Sequence, residues 1–303
     1  MVYEVTHRSI LFSEYNNGRF TLNVYDAEKA DYMEQYVLDE TGGIFGISWK
    51  DEICLLKWTD EATDLKTACM VNFHNNNLLW KKELVDFGDI HIPKLNLNYT
   101  IACTYGDEQL FALDTLTGRE LWRHDYTEFG RYTDVLQRTL TGCIFDFKFW
   151  HDSVIVYTSG SYLLRVDLAT GRTRWLLQVP PSSGQFVFDG DQIHLFKHSV
   201  YYIVDAHTGN VLREHYIDTL AWPAQYGYMS YMAGHAVDEE FIYITGQGNQ
   251  KVLVIDKQQW ELVQILDISE GKGSPAWSSP LLAGNKLCQV DGQSDLHVFE
   301  RVA

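Results

Sequence analysis

Histidine, cysteine and carboxylate side chains are the groups that could hold a metal or move protons, and this 303-residue chain carries 11 histidines, five cysteines and 41 acidic residues. Their spacing decides what they can do. His91, His151, His194, His198, His207, His215 and His235 show no HxH or HExxH pattern, so no pair of imidazoles is set to share a zinc ion. Cys54, Cys69, Cys103, Cys143 and Cys288 form no CxxC pair, and four of them lie inside apolar strand patterns. They read as small buried hydrophobes kept reduced, which points to the cytoplasm. Glu128, Asp134, Asp218 and Glu270 share their stretches with Arg131, Arg138 and Lys272, and such groups could serve as acid and base. No spacing marks two carboxylates as partners, and GxSxG, P-loop and GxGxxG signatures are absent. The expectation is no catalytic residue and no metal site, with an enzyme the less supported reading.

The aromatic side chains give a different signal. Phe129, Tyr132, Trp222, Tyr226, Tyr228, Tyr231 and Trp277, with Met229 and Met232, stand in the long connecting segments 126–142, 217–232 and 269–277. Trp58 opens a further loop that runs to Lys66. Exposed Tyr and Trp anchor interfaces because a rigid amphipathic ring buries much area at small entropic cost. Three readings stay open: these rings plug one end of the fold, bind a protein partner, or line a carbohydrate or small-molecule pocket.

The elements that must hold these segments form a repeat. LFALDTLTGRELW (Leu110–Trp122), LLRVDLATGRTRW (Leu163–Trp175) and YYIVDAHTGNVLR (Tyr201–Arg213) each show an alternating apolar strand ending in Asp, then Thr-Gly, then a second strand. Fainter copies put the anchor at Asp26, Asn72, Asp256 and Glu300, so seven anchors recur about every 46 residues, the blade-sized period of β-propellers. Upstream of the anchors, pairs of apolar strands flank polar turns, as in FDFKFWHDSVIVYT and QFVFDGDQIHLF. Four strands per unit result, rich in the Val, Ile, Tyr, Phe and Trp that suit a half-buried pleated surface.

The fold expected is all-β: a single domain over residues 1–303, a seven-bladed β-propeller of four-stranded antiparallel blades at about 1–40, 41–86, 90–127, 142–180, 184–217, 231–268 and 274–303. The anchor Asp, the glycines Gly118, Gly171 and Gly209, and the tryptophans Trp80, Trp122 and Trp175 recur at fixed repeat positions and read as architecture. Residues 2–7 turn back into Ile10 through Arg8-Ser9, and only three strands fit after residue 274, so 27 strands and a three-stranded last blade are expected. The edge 296–301 of that blade either accepts a strand from a partner or, the simpler reading, is blunted by Glu300 and Arg301.

The run Asp-x-x-Thr-Gly-Arg-Glu-x-Trp at Asp114–Trp122 and its echo at Asp167–Trp175 resemble the PQQ-type repeat, the WD40-like blade module of quinoprotein dehydrogenases and of non-catalytic relatives such as the outer-membrane assembly lipoprotein propeller. The quinone enzymes carry an adjacent cysteine pair beside the cofactor, a secretion signal and a chain about twice as long. None of these is present here, so the resemblance implies the non-catalytic branch and no PQQ cofactor. The net charge of −17 argues against nucleic acid and anionic membranes and suits a basic protein partner. No apolar run reaches the length of a membrane helix, and residues 1–15 do not read as a leader. The function expected is a cytoplasmic, non-catalytic scaffold or immunity-type inhibitor that binds a protein through the aromatic long-loop face. A ligand-binding or quinone-dependent enzyme and a carbohydrate-binding module are the alternatives.

Overall fold

The computed structural model describes residues 2–5, 9–16, 19–26, 31–38, 42–50, 53–60, 63–72, 75, 77–84, 90–104, 109–130, 132–133, 139–140, 144–158, 162–179, 186–197, 200–216, 220, 234–245, 251–268, 279–290 and 296–300. They fall in two compact units: Met1–Thr127 with Leu168–Gly171, and Glu128–Asp167 with Arg172–Ala303.

Nearly everything described is antiparallel strand, each pairing with its sequence neighbour. The first unit holds three four-stranded sheets. They are β1 (Val2–Val5), β2 (Ser9–Asn16), β3 (Arg19–Asp26) and β4 (Asp31–Leu38); β5 (Gly42–Lys50), β6 (Ile53–Asp60), β7 (Lys66–Asn72) and β8 (Asn77–Leu84); and β9 (His91–Leu95), β10 (Tyr99–Cys103), β11 (Gln109–Asp114) and β12 (Glu120–Asp125). A helical turn α1 (Thr127–Gly130) follows, then a two-stranded ribbon of β13 (Tyr132–Thr133) and β14 (Thr139–Leu140).

The second unit adds β15 (Ile144–Trp150), β16 (Ser153–Thr158), β17 (Tyr162–Asp167) and β18 (Thr173–Gln178); β19 (Phe186–Asp189), β20 (Gln192–Lys197), β21 (Val200–Asp205) and β22 (Val211–Tyr216); and β23 (Gly234–Val237), β24 (Phe241–Thr245), β25 (Lys251–Asp256) and β26 (Glu261–Asp267). A three-stranded sheet closes the series: β27 (Leu281–Ala283), β28 (Lys286–Val290) and β29 (Leu296–Glu300). Among the described residues these sheets hold the 27 expected strands, the last sheet having three. The ribbon is extra: segment 126–142, expected as plain loop, contains Tyr132 and Thr133 opposite Leu140 and Thr139, residue types that pair readily as strands.

At Asp114 and Asp205 the anchor ends a third strand and starts a turn of shared chemistry. Asp114 Oδ1 accepts from both the backbone N–H and the hydroxyl of Thr117, each at 2.8 Å, and the Asp114 carbonyl accepts the Gly118 N–H. Asp205 does the same with Thr208 and Gly209. Hydrogen bonds to the charged form hold both carboxyls below the usual range, the Thr117 hydroxyl leading at Asp114 and the Thr208 N–H at Asp205. In all six four-stranded sheets the third-to-fourth register slips immediately before the anchor, as at Ala112/Leu113, Arg165/Val166 and Ile203/Val204. A bulge so placed bends the outer strand and raises its twist.

The outer strands carry the tryptophans that join one sheet to the next turn. Trp80 Nε1 donates to the Thr115 carbonyl at 2.8 Å, Trp122 to Leu168 at 2.8 Å and Trp175 to Ala206 at 3.0 Å. Gly118, at φ +68°, lies against the Trp80 ring so closely that an added Cβ would stand 2.7 Å from it, and Gly171 and Gly209 meet Trp122 and Trp175 alike. Glycine is required there twice, by conformation and by space. Second and third strands form the core: Leu55, Ala68 and Phe111 in the first unit, and Ile155, Leu195 and Val204 in the second, are buried.

Candidate functional site

Strand alternation fixes where the variable segments leave. In each four-stranded sheet the fourth strand ends opposite the anchor turn, so the segments after β12, β22 and β26 leave from one and the same end of their sheets. Phe129 marks that end in the second unit. Its carbonyl accepts the Thr158 hydroxyl at 2.8 Å, at the exit of β16, and its half-buried ring meets Tyr162, at the entry of β17, edge-on at 5.5 Å. Tyr132 lies in the ribbon ladder opposite Leu140. Trp222, Tyr226, Tyr228, Tyr231 and Trp277 lie outside the described residues.

Trp58 departs from expectation. It is only 2% exposed, inside β6, with the Lys81 ammonium over its ring at 5.0 Å. The strand runs on past Trp58 to Asp60, whose carbonyl accepts the Asp64 N–H at 2.9 Å. Thr63 donates to Asp60 Oδ1 through its N–H and its hydroxyl, and Asp64, at φ +54°, takes the place glycine has in the anchor turn. Trp58 is therefore core and offers no ring to a partner. Asp60-x-x-Thr63 carried the signal, because it is the anchor chemistry in a second position.

The histidines separate into two settings. His151 and His207 are exposed at the turn end, with Nε2 atoms 3.4 and 3.5 Å from the two oxygens of Asp191, and Trp150 meets both rings edge-on. Among the described residues no group of His, Cys, Asp and Glu is arranged to hold a metal ion. His194 and His235 are buried. His194 Nδ1 hydrogen-bonds the Tyr201 hydroxyl at 2.9 Å, and its Nε2 lies 3.7 Å from Asp189, itself paired with Lys257. His235 Nε2 donates to the His194 carbonyl at 2.9 Å. Desolvation lowers both imidazoles to a pKa of about 4, so they are neutral at physiological pH. They tie β20, β21 and β23 together and reach no open surface.

A groove of about 1090 Å³ opens between the sheets β23–β26 and β27–β29. It is lined by apolar side chains (Phe241, Val254, Leu266, Leu282, Leu287, Val298) and by charged ones (Asp238, Glu239, Lys286, Glu300). No sequence motif marks it.

The model of the family described as outer membrane protein assembly factor BamB matches residues 61–279. Among solved structures the chain is similar to BamB from Moraxella catarrhalis, at 13% identity and TM-score 0.58, over 97% of this chain and 82% of that one. It is similar to a europium-containing methanol dehydrogenase at 11% identity and TM-score 0.61, over 98% and 77%. The WD40 propeller domain of Doa1 follows at 14% identity and TM-score 0.52, over 99% and 92%. At such identities the likeness concerns the fold, which is that of PQQ-type repeat propellers. No curated protein sequence matches the chain.

Proposed function

The chain belongs to the family of the outer membrane protein assembly factor BamB, and from that we propose that it is a non-catalytic scaffold that binds a protein partner through the aromatic segments at one end of a closed, seven-bladed ring. One observation carries this reading. The side chains that recur in the repeat, Asp, Thr, Gly and Trp, are consumed in turns and sheet-to-turn contacts at one end, as at Asp114, Thr117, Gly118 and Trp80. The segments that differ in length and carry Trp222, Tyr226, Tyr228, Tyr231 and Trp277 leave from the other. Repeat folds put recognition where repeats differ.

The partner surface is basic, to meet a chain of net charge −17. The buried Cys54, Cys69 and Cys103 are thiols, which accords with a reducing compartment. The test is affinity capture from the native host with partners identified by mass spectrometry. Trp222→Ala with Tyr228→Ala should abolish capture and leave thermal stability unchanged; undiminished capture by the double variant refutes the assignment.

A further inference from the structure

At several joints a side chain of one sheet donates to a backbone carbonyl of its neighbour, and at one joint the donor is of a different kind. Lys57 Nζ of β6 donates to the Ile90 carbonyl at 2.9 Å, and Lys148 Nζ of β15 donates to the Phe186 carbonyl of β19. The indoles of Trp80, Trp122 and Trp175 donate to turn carbonyls. Acid removes none of these donors. Between the sheets β19–β22 and β23–β26, both in the second unit, an imidazole takes this place: His235 Nε2 of β23 donates to the His194 carbonyl of β20 at 2.9 Å. The same joint holds His215 of β22, stacked on Trp260 at 4.2 Å. Among the described residues three imidazole nitrogens are buried without a hydrogen-bond partner, His194 Nε2, His215 Nε2 and His235 Nδ1, and all three belong to this joint.

A neutral imidazole has one donor, and protonation adds a second that needs an acceptor. Among the described residues only His194 of the three faces a carboxylate, Asp189 at 3.7 Å, and Lys257 of the neighbouring sheet already binds that carboxylate at 2.7 Å. His235 faces the Lys148 cation of β15 and the Tyr201 ring of β21, and His215 lies against Trp260 with the Arg213 cation nearby. A charge buried with an unpaired N–H is driven toward water. From this arrangement we infer that the joint is an acid-sensitive seam: protonation of its histidines parts β23 from β20 while the rest of the second unit stays folded. Desolvation leads in lowering all three imidazoles, so the closed joint binds fewer protons than the open one. Its stability is complete above the ordinary histidine pKa of about 6.5 and is lost as the pH falls toward about 4. The joint between β15–β18 and β19–β22 responds differently: its exposed His151 and His207 face Asp191, so an added proton finds an acceptor there. The seam is independent of the aromatic segments and of their partner.

The test is native-state hydrogen exchange of the full chain, read by mass spectrometry with rates corrected for the intrinsic pH dependence of exchange. For an imidazole whose pKa is about 4 in the closed joint and about 6.5 in the open one, linkage raises the opening equilibrium about 60-fold between pH 7 and pH 4.5. Protection of 192–197 and 234–245 should fall by about that factor or more over this range, while 153–158 and 162–167 keep theirs. His235→Gln keeps a donor for the His194 carbonyl and cannot take the proton, so it should cut the fall by most of one such factor. Where that variant fails to fold, the exchange pattern of the parent decides the matter. Equal loss of protection across the unit, full protection of 234–245 at pH 4.5, or an H235Q response equal to the parent's would overturn the assignment.

Discussion

Replacing Gly209 with alanine separates two costs that the fold imposes on one residue. Gly209 has φ +74°, and an alanine in the left-handed region costs about 1–2 kcal/mol. A Cβ there would also stand 2.7 Å from Cδ2 and 2.8 Å from Cε3 of Trp175, so the indole must move. Moving it breaks the 3.0 Å hydrogen bond to the Ala206 carbonyl, worth about 1 kcal/mol net, and exposes part of a large ring for about 1–2 kcal/mol more. The total for G209A is about 3–5 kcal/mol. Gly190 is the internal control: its φ is +57° and nothing lies within 4 Å of its would-be Cβ, so G190A should cost only the conformational 1–2 kcal/mol, roughly. In a W175A background the G209A penalty should drop to the G190A value. Urea unfolding of the variants, with the slope m held as a check on the transition, measures all three quantities. Equal costs for G209A and G190A would refute the argument that the ring, and not only the turn, requires glycine.

Two further outcomes follow from the described side chains. Trp58→Ala should lower unfolding stability by about 3–5 kcal/mol, as core truncations of large rings do, whereas a surface anchor would lose binding at unchanged stability; calorimetry beside partner capture distinguishes them. His194 and His235 have folded pKa values of about 4 against 6.5 in the unfolded chain, so the fold binds fewer protons there. Their contribution is complete above pH 6.5 and is lost as the pH falls toward 4, and His235→Asn should flatten the fall of the urea midpoint across that window; an unchanged slope would refute it.

The strands were legible because the chain repeats itself. Asp114, Asp167 and Asp205 sit in nearly identical strings, and one string that predicts a turn weakly predicts it strongly when repeated at a blade-sized period. The Gly and Trp roles were legible for the same reason, since Gly118 and Trp80 meet in space although they belong to different copies. Trp58 misled because an aromatic beside Asp, Glu and Thr looks like a loop anchor. The alternation that buries it continues to Asp60, and the turn that follows is stabilised by Thr63 in the absence of glycine. The buried His194–Tyr201–His235 contacts had no linear signal, because their spacing is set by pairing between β20, β21 and β23.

The contacts between neighbouring sheets in the second unit form a graded series. Between β18 and the turn after β21, Trp175 seats on Gly209 and donates to Ala206. Between β22 and the turn after β25 the partners are exchanged: the turn supplies the indole, Trp260 at φ +54°, which stacks on His215 at 4.2 Å and donates to the Tyr216 carbonyl. Beside β26 the position of the tryptophan is taken by Gln264, which lines the groove together with Leu282, Leu287 and Phe299 of the last sheet. A fold assembled from one repeat buries its surface only where each copy supplies what the next requires.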